Sequence, residues 1–308
     1  MAGVLIGFAI LLAIIGLGYL LARIDLLGQG AGPLLNRFAF FVLVPALLFT
    51  VLAEADVSRL FSRLLPVAAI AAAAVMAVYL LIALLLWRRP VPEATVGALG
   101  AGYVNGNNIG IPVSLYVLGD AATSAPVVLL QLVIIAPIAL TVLDLSVSQR
   151  PSLRRVLMQP LRNPLLFASA LGLVVSVTGV ELPPQLLDPF ELVGAAAIPV
   201  VLIAFGMSLH GVRPLAPGPE RRDVLVATVL KLVAMPAVAW LVGHLLFGMT
   251  GHDLFAVVVL AALPAAQNVF TYAQRYGRGV ILARDVVLIT TGGSVLVIIA
   301  AAALLAPG

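Results

Sequence analysis

The chain has 308 residues, of which 63% are hydrophobic and 10% charged, with a formal net charge of +4. An ordinary soluble domain carries roughly 25% charged residues, and a mean hydropathy of +1.19 leaves too little polar surface to solvate a globule, so soluble enzymes and soluble binding domains are excluded. No cysteine is present, which removes disulfides and thiolate metal sites. The apolar runs are about 18 to 24 residues long, the length a helix needs to cross bilayer hydrocarbon, and the fold class is an all-α polytopic membrane protein.

Breaks at charges, prolines and glycines divide the chain into ten predicted spans, near 4–22, 33–53, 64–87, 94–118, 124–143, 164–180, 191–210, 224–247, 254–276 and 280–305. Span 1 has no Lys or Arg before Arg23 and no small-residue cleavage site, which reads as a membrane helix and not a signal peptide. Span 2 contains FFVLVPALLF with Pro45 mid-span, and span 3 contains AAIAAAAVMA, whose small residues suit close helix packing. Span 4 is interrupted by YVNGNNIGIPVSLYVLG, Tyr103 to Gly119. Span 5 holds Gln131, a neutral polar group able to bond across helices and, with Lys231 and Asp285, a candidate for ion coupling. Span 7 contains GAAAIPVVLI, with Pro199 matching Pro45. Span 8 holds Lys231 near its cytoplasmic end; snorkelling to the headgroups is the expectation, and a substrate- or ion-linked role the alternative. Span 9 carries LPAAQNVFTYAQRYG, again mixing a proline and amides into an apolar run.

Basic residues orient the spans. With the N-terminus outside, the cytoplasmic loops hold Arg23, Arg37, Arg88, Arg89, Arg150, Arg154, Arg155, Arg162, Arg213, Arg221, Arg222, Arg275, Arg278 and Arg284, against Arg59 and Arg63 outside. Positive charge is retained on the cytoplasmic face during insertion. That asymmetry supports ten spans with both termini outside, in a bacterial-type inner membrane, and it makes the basic pI of 9.8 a topology signal with no nucleic-acid partner implied.

Five spans lie in 1–143 and five in 164–308, joined by a basic linker at 144–163. An odd number per half makes the second half enter the membrane from the opposite face, the plan of an inverted-topology repeat. Pro45 and Pro199 each require no more than a packed kink. Spans 4 and 9 require more. Pro112 removes a helical hydrogen bond, Gly106 and Gly110 add backbone freedom, and unwound backbone survives at membrane depth only where protein, water or ligand covers it. Asn105, Asn107 and Asn108 can supply part of that cover, and Pro264, Gln267 and Asn268 mirror them in span 9. Paired interruptions of this kind point to a binding site near the bilayer midplane. Half-helices that begin at a break aim free N–H groups and a positive dipole end toward it. Such a site suits a carboxylate held by neutral donors, with oxygens left over for a proton or a sodium ion.

NGNNIGIPVSLYVLG resembles the asparagine-glycine-isoleucine-proline signature of the auxin efflux carrier family, and the ten spans, the central basic loop, Pro45 and PAAQNVFTYAQRYG resemble that family as well. The resemblance covers essentially the whole chain; the linker of about twenty residues is similar to that of the bacterial members and unlike the long loop of the plant carriers. It implies a fold shared with bile-acid/sodium symporters, with a panel domain and a transport domain each drawn from both halves, and helices 4 and 9 crossing at the site. It further implies elevator-like transport of organic anions, which with the chemistry of the site makes small mono- or dicarboxylates the expected cargo, and it allows a homodimer that the sequence itself does not show. Carried over by position, Asn105, Asn107, Asn108 and Pro112 form one side of the crossing and Pro264, Gln267 and Asn268 the other. Auxin as substrate does not follow.

Among the remaining polar residues, Asp144 and Asp285 sit at cytoplasmic span ends; interfacial solvation or pairing with Arg284 or Arg278 is expected, with proton coupling as the alternative. Glu54 and Asp56 lie at the outer end of span 2, where water-facing carboxylates are expected, with an ion-entry role as the alternative. His210, His244 and His252 fall at span ends without helical i, i+4 pairing, so no metal site and no cofactor is expected. An intramembrane enzyme is disfavoured because the chain lacks HExxH, a Gly-x-Ser-x-Gly nucleophile and paired aspartates in a span. A passive anion channel needs a continuous polar lining, and the polar residues here gather in two patches; a membrane sensor built on a transporter-like fold stays open as the other alternative, although no signalling domain is read in the sequence.

Overall fold

The computed structural model describes residues 2–28, 30–54, 63–147, 164–180, 182–211 and 220–306. Among the described residues every extended element of secondary structure is helical, and six helices are long and apolar enough to cross a membrane. In chain order the helices are α1 (Ala2–Arg23), α2 (Ala31–Ala53), α3 (Leu64–Leu86), α4a (Val91–Gly102), α4b (106–116), α5 (Ala121–Ser146), α6 (Pro164–Thr178), α7 (Pro184–Ser208), α8 (Arg221–Leu246), α9a (Gly251–Ala262), α9b (Gln267–Tyr276) and α10 (Val280–Leu305). Asp56, Arg59, Arg150, Arg154, Arg155, Arg162 and Arg213, with most of the 144–163 linker, lie outside the described residues.

Each mid-span proline is accommodated by a local change of helix pitch. Pro45 cannot donate a hydrogen bond and its ring crowds the preceding turn. α2 answers with a π turn at Ala39–Leu43, where the Val44 N–H bonds to the carbonyl of Ala39. In α7 the helix is interrupted at Ala196, ahead of Pro199.

Glycines let two helix pairs approach at backbone distance. A Cβ on Gly18 of α1 would fall 2.1 Å from the Ile203 carbonyl oxygen of α7, and one on Gly206 of α7 would fall 2.0 Å from that of Ile15 in α1. α6 packs on α2 in the same manner, with the Gly172 position 2.5 Å from the Phe49 carbonyl oxygen. Where hydrocarbon removes the hydrophobic drive for helix association, such small-residue contacts supply the packing.

α3–α4a and α8–α9a share a local design. α3 ends in a π turn at Ile82–Leu86 and α8 in one at Val242–Leu246. Trp87 N–H donates to Ile82 (3.1 Å) and Phe247 N–H to Val242 (3.2 Å); Arg89 N–H donates to Ala83 and Met249 N–H to Gly243, both at 2.8 Å. Arg88 and Gly248 between them both adopt positive φ, 51° and 59°. Each partner pair shares one constant spacing along the chain. Glycine pays least for that conformation, and the second copy uses it.

Charged ends tie these helices together. The Arg89 guanidinium grips the buried Asp223 carboxylate through Nε (3.0 Å) and Nη2 (2.5 Å), and the Tyr79 hydroxyl donates to the same carboxylate at 3.4 Å. Arg278 pairs with Glu93 at 3.2 Å, and Leu282 N–H donates to Glu220 at 2.9 Å. Of the two arginines expected near Asp285, Arg284 is the one bound, at 2.8 Å, while Asp144 accepts from the Tyr276 hydroxyl at 2.8 Å.

Candidate functional site at the crossing of two broken helices

The backbone leaves helical geometry at Tyr103–Asn105 and again at Leu263–Ala266, and the two unwound segments meet as an antiparallel bridge between Val104 and Ala265. Asn105 N–H donates to the Pro264 carbonyl at 2.8 Å, and Ala266 N–H donates to the Tyr103 carbonyl at 3.0 Å. Each orphaned backbone group would cost several kcal/mol in hydrocarbon. Here each break supplies the partner that the other lacks. Ala265 N–H is taken by the Thr290 hydroxyl of α10 at 3.0 Å, and that hydroxyl donates to the Val286 carbonyl at 2.6 Å.

Lys231 completes the cover, and here the expected snorkelling fails. Its side chain is 0% exposed, and Nζ donates to the Ala261 carbonyl at 2.6 Å and lies 3.0 Å from the Met235 sulfur. An ammonium at the carbonyl end of α9a meets the negative pole of the helix and one of its unpaired oxygens. Burial beside that helix end outweighs the route to the headgroups.

The asparagines begin the next half-helix. Asn105 is the N-cap of α4b: its Oδ1 accepts from Asn108 N–H at 3.1 Å, and its carbonyl accepts from Gly110 N–H at 2.8 Å across a π turn at Gly106–Gly110. Because Oδ1 is engaged, the amide of Asn105 presents Nδ2 as its free end. Pro112 lies beyond this turn, inside α4b, so the break belongs to the asparagine-glycine tract and not to the proline. Gln267 and Asn268 open α9b, where N–H groups have no intrahelical acceptor.

A cavity of about 850 Å³ faces the crossing. Asn105, Asn107, Asn108, Gln131, Gln267 and Asn268 line its inner wall; Phe40, Ser208 and Thr271 lie along it; Asp25, Asn36 and Arg37 line it near the α1–α2 loop. Gly110, Pro112, Pro264, Lys231 and Asp285 are absent from the lining. Gly110 packs toward Leu263 and Ser124, while Pro264 contributes its carbonyl to the bridge. Asn108 Nδ2 donates to Gln267 Oε1 at 3.4 Å, Gln267 Nε2 donates to Ser208 Oγ at 3.3 Å, and that hydroxyl donates to the Phe205 carbonyl at 2.6 Å. A polar chain thus runs from α4b through α9b to α7. Of the seven buried side-chain polar atoms without partners among the described residues, three belong to residues that line the cavity: Asn105 Nδ2, Asn107 Oδ1 and Gln131 Oε1.

Arg37, Asn36 and Ser208 were not singled out as site residues from sequence. Arg37 was counted among the orienting charges, although Asn36-Arg37 inside a predicted span was a detectable signal. Ser208 reaches the site through the α7 packing alone.

A family model described as "Membrane transport protein" matches residues 4–148 and 141–301. The chain is 30% identical to the "Putative malonate transporter" of Rhizobium meliloti (strain 1021) over 292 residues, covering 90% of this chain and 88% of that protein. It is 25% identical to the "Uncharacterized transporter YfdV" of Escherichia coli (strain K12) over 275 residues, 86% of each chain.

Proposed function

We propose, for a chain that belongs to the membrane transport protein family, the function of a secondary active transporter of small organic anions, mono- or dicarboxylates. The auxin efflux carrier family read from the span 4 motif is the same family, and a multi-pass membrane protein follows from it. The observation that carries the anion reading is the wall of amides and half-helix N-termini around one cavity at the paired breaks. Neutral donors and positive dipole ends favour an anionic group there, and Arg37 adds a cation along the approach. The name of the Rhizobium relative supports a carboxylate as cargo.

In this reading the chain is a carrier and not an enzyme, with ten spans in a five-plus-five inverted repeat and both termini outside. Support comes from the matched ends of α3 and α8, the equal twelve-residue lengths of α4a and α9a, and the reciprocal glycine contacts of α1 with α7 and α6 with α2. α1, α2, α6 and α7 form the panel. α3–α5 and α8–α10 form the transport unit, which moves in an elevator-like manner and carries the crossing with it. The cavity reaches the α1–α2 loop, on the cytoplasmic side in the orientation set by the arginines, so this conformation faces inward. Protons or sodium ions drive the movement.

A thermal-unfolding screen of the purified protein with mono- and dicarboxylates, with and without sodium and across pH, tests the function. A ligand that binds only the folded form raises stability by mass action, about 2.7 kcal/mol at a hundred times Kd. The expected result is stabilisation by small carboxylates and none by neutral or cationic analogues. Stabilisation by none of the carboxylates refutes the assignment.

A further inference from the structure

Lys231 is the only lysine in the sequence. Its Nζ is buried at the carbonyl end of α9a, with one backbone oxygen, Ala261, and one thioether sulfur, Met235, as acceptors. An ammonium has three N–H donors, and a thioether is a weak acceptor. Lys231 makes no ion pair among the described residues. A charge taken out of water without an opposite charge is costly, and the pole of α9a offsets part of that cost.

The charged groups on the surrounding helices are engaged or distant. On α8, Asp223 is bound by Arg89, Arg221 and Arg222 lie in the first turn, and His244 stacks on Trp240 in the last. On α10, Gly293 packs against Leu232, and Asp285, bound by Arg284, lies two turns earlier, about 12 Å along the axis. α3 offers Tyr79, which donates to Asp223, and α4a offers Glu93, bound by Arg278. α9a carries His252 and Asp253 in its first turn, at the end away from Ala261, and α5 carries Asp144, bound by Tyr276.

Packing alone does not call for a lysine here. At the spacing that relates Trp87 to Phe247 and Val91 to Gly251, Lys231 corresponds to Ala71 of α3, which is also fully buried. The first copy reaches its break with a methyl group at that place. A second, small void of about 10 Å³ lies beside the lysine, at the lower limit for one water. Gln131 and Val104 line both this void and the large cavity, while Met235 and Ala261, which hold Nζ, line the small one.

Resting on the organic-anion reading above, we infer that Lys231 is the site of the coupling proton. When a carboxylate enters the cavity, the amine takes a proton from the aqueous side by way of the small void. The new N–H bond makes an ammonium that answers the bound anion across the crossing. Anion and proton cross the membrane together, and the ammonium returns its proton to water once the anion has left. Carriers built on broken helices coordinate their coupling ion at half-helix carbonyl ends. The carbonyl end of α9a is filled by this side chain, so sodium has no part in the step.

A sole lysine makes its charge directly visible. Purified wild-type protein carrying lysine isotope-labelled at Nζ gives one side-chain nitrogen resonance, whose chemical shift separates amine from ammonium. Opposite unit charges ~10 Å apart at an effective dielectric of ~20 attract by about tenfold or more in an equilibrium constant. Malonate, added above its second ionisation, is therefore expected to raise the ammonium-to-amine ratio about tenfold at fixed pH. By reciprocity its calorimetric Kd is expected to weaken by the same factor as rising pH turns ammonium into amine. That Kd is expected to stay the same when choline replaces sodium, and to lose its pH dependence in Lys231→Met. A resonance that malonate leaves unmoved while calorimetry shows it bound, or an affinity that needs sodium, overturns the proton site and leaves the carboxylate carrier standing. So does a Lys231→Met variant that keeps the pH dependence; the resonance, read on the wild-type chain, decides whether or not that variant folds. Binding of neither malonate nor any carboxylate in the thermal screen removes both.

Discussion

Asn105 has two separable duties, and two substitutions tell them apart. Its Oδ1 caps α4b by accepting from Asn108 N–H, and its Nδ2 is a buried donor without a partner on the cavity wall. Asn105→Ala removes both. Loss of an N-cap costs about 0.5–2 kcal/mol of stability, and loss of a buried hydrogen bond to a ligand costs roughly 1–3 kcal/mol, about 5- to 150-fold in Kd. Asn105→Ser keeps a good cap, since serine ranks with asparagine at that position, but has no atom where Nδ2 stood. Thermal unfolding without ligand and calorimetric titration with malonate, on both variants, provide the measurement. Alanine is expected to lower both stability and affinity; serine is expected to unfold within about 0.5 kcal/mol of wild type and to bind as weakly as alanine. A serine variant with wild-type affinity would show that Asn105 is a cap alone and would refute its place as a ligand donor.

Other consequences follow from the same contacts. Lys231→Met keeps the length of the side chain but leaves the Ala261 carbonyl without its donor, and thermal unfolding is expected to register about 1–3 kcal/mol of destabilisation. Asp223→Ala removes an acceptor shared by Arg89 and Tyr79; with Arg89 partly exposed, the cost is expected at the low end for a broken buried pair, about 3 kcal/mol, by the same measurement. Gly206→Ala would set a methyl 2.0 Å from the Ile15 carbonyl oxygen and force α1 from α7, an overpacking penalty of roughly 1–3 kcal/mol visible as a lowered unfolding temperature.

How much of this was legible in the sequence depends on how local the cause is. The two breaks were legible because asparagine, glycine and proline act on their own backbone: the chain unwinds at Tyr103–Asn105 and Leu263–Ala266, within the two motifs that stood out. The part assigned to Pro112 was not, because a proline early in a helical run costs little and a π turn ahead of it absorbs the misfit. The fate of Lys231 turned on which helix end it would meet, and Ala261 is thirty residues away. Arg37 and Ser208 reach the cavity from α2 and α7, so their presence there depends on packing that no spacing within spans 4 or 9 encodes. Within the amide wall, composition exposed the donors and acceptors, but which atoms stay unpartnered depends on the cap and on the Asn108–Gln267–Ser208 chain.

The central claim is that a carboxylate occupies the cavity at the crossing. Because the natural chain has no cysteine, a single Thr271→Cys variant, at an exposed residue of α9b on the cavity lining, reports on that space through its rate of alkylation by a maleimide. Malonate is expected to slow the reaction with a half-effect at its calorimetric Kd. A rate unchanged by malonate, in a variant that malonate still stabilises against heat, would place the ligand somewhere else and contradict the account.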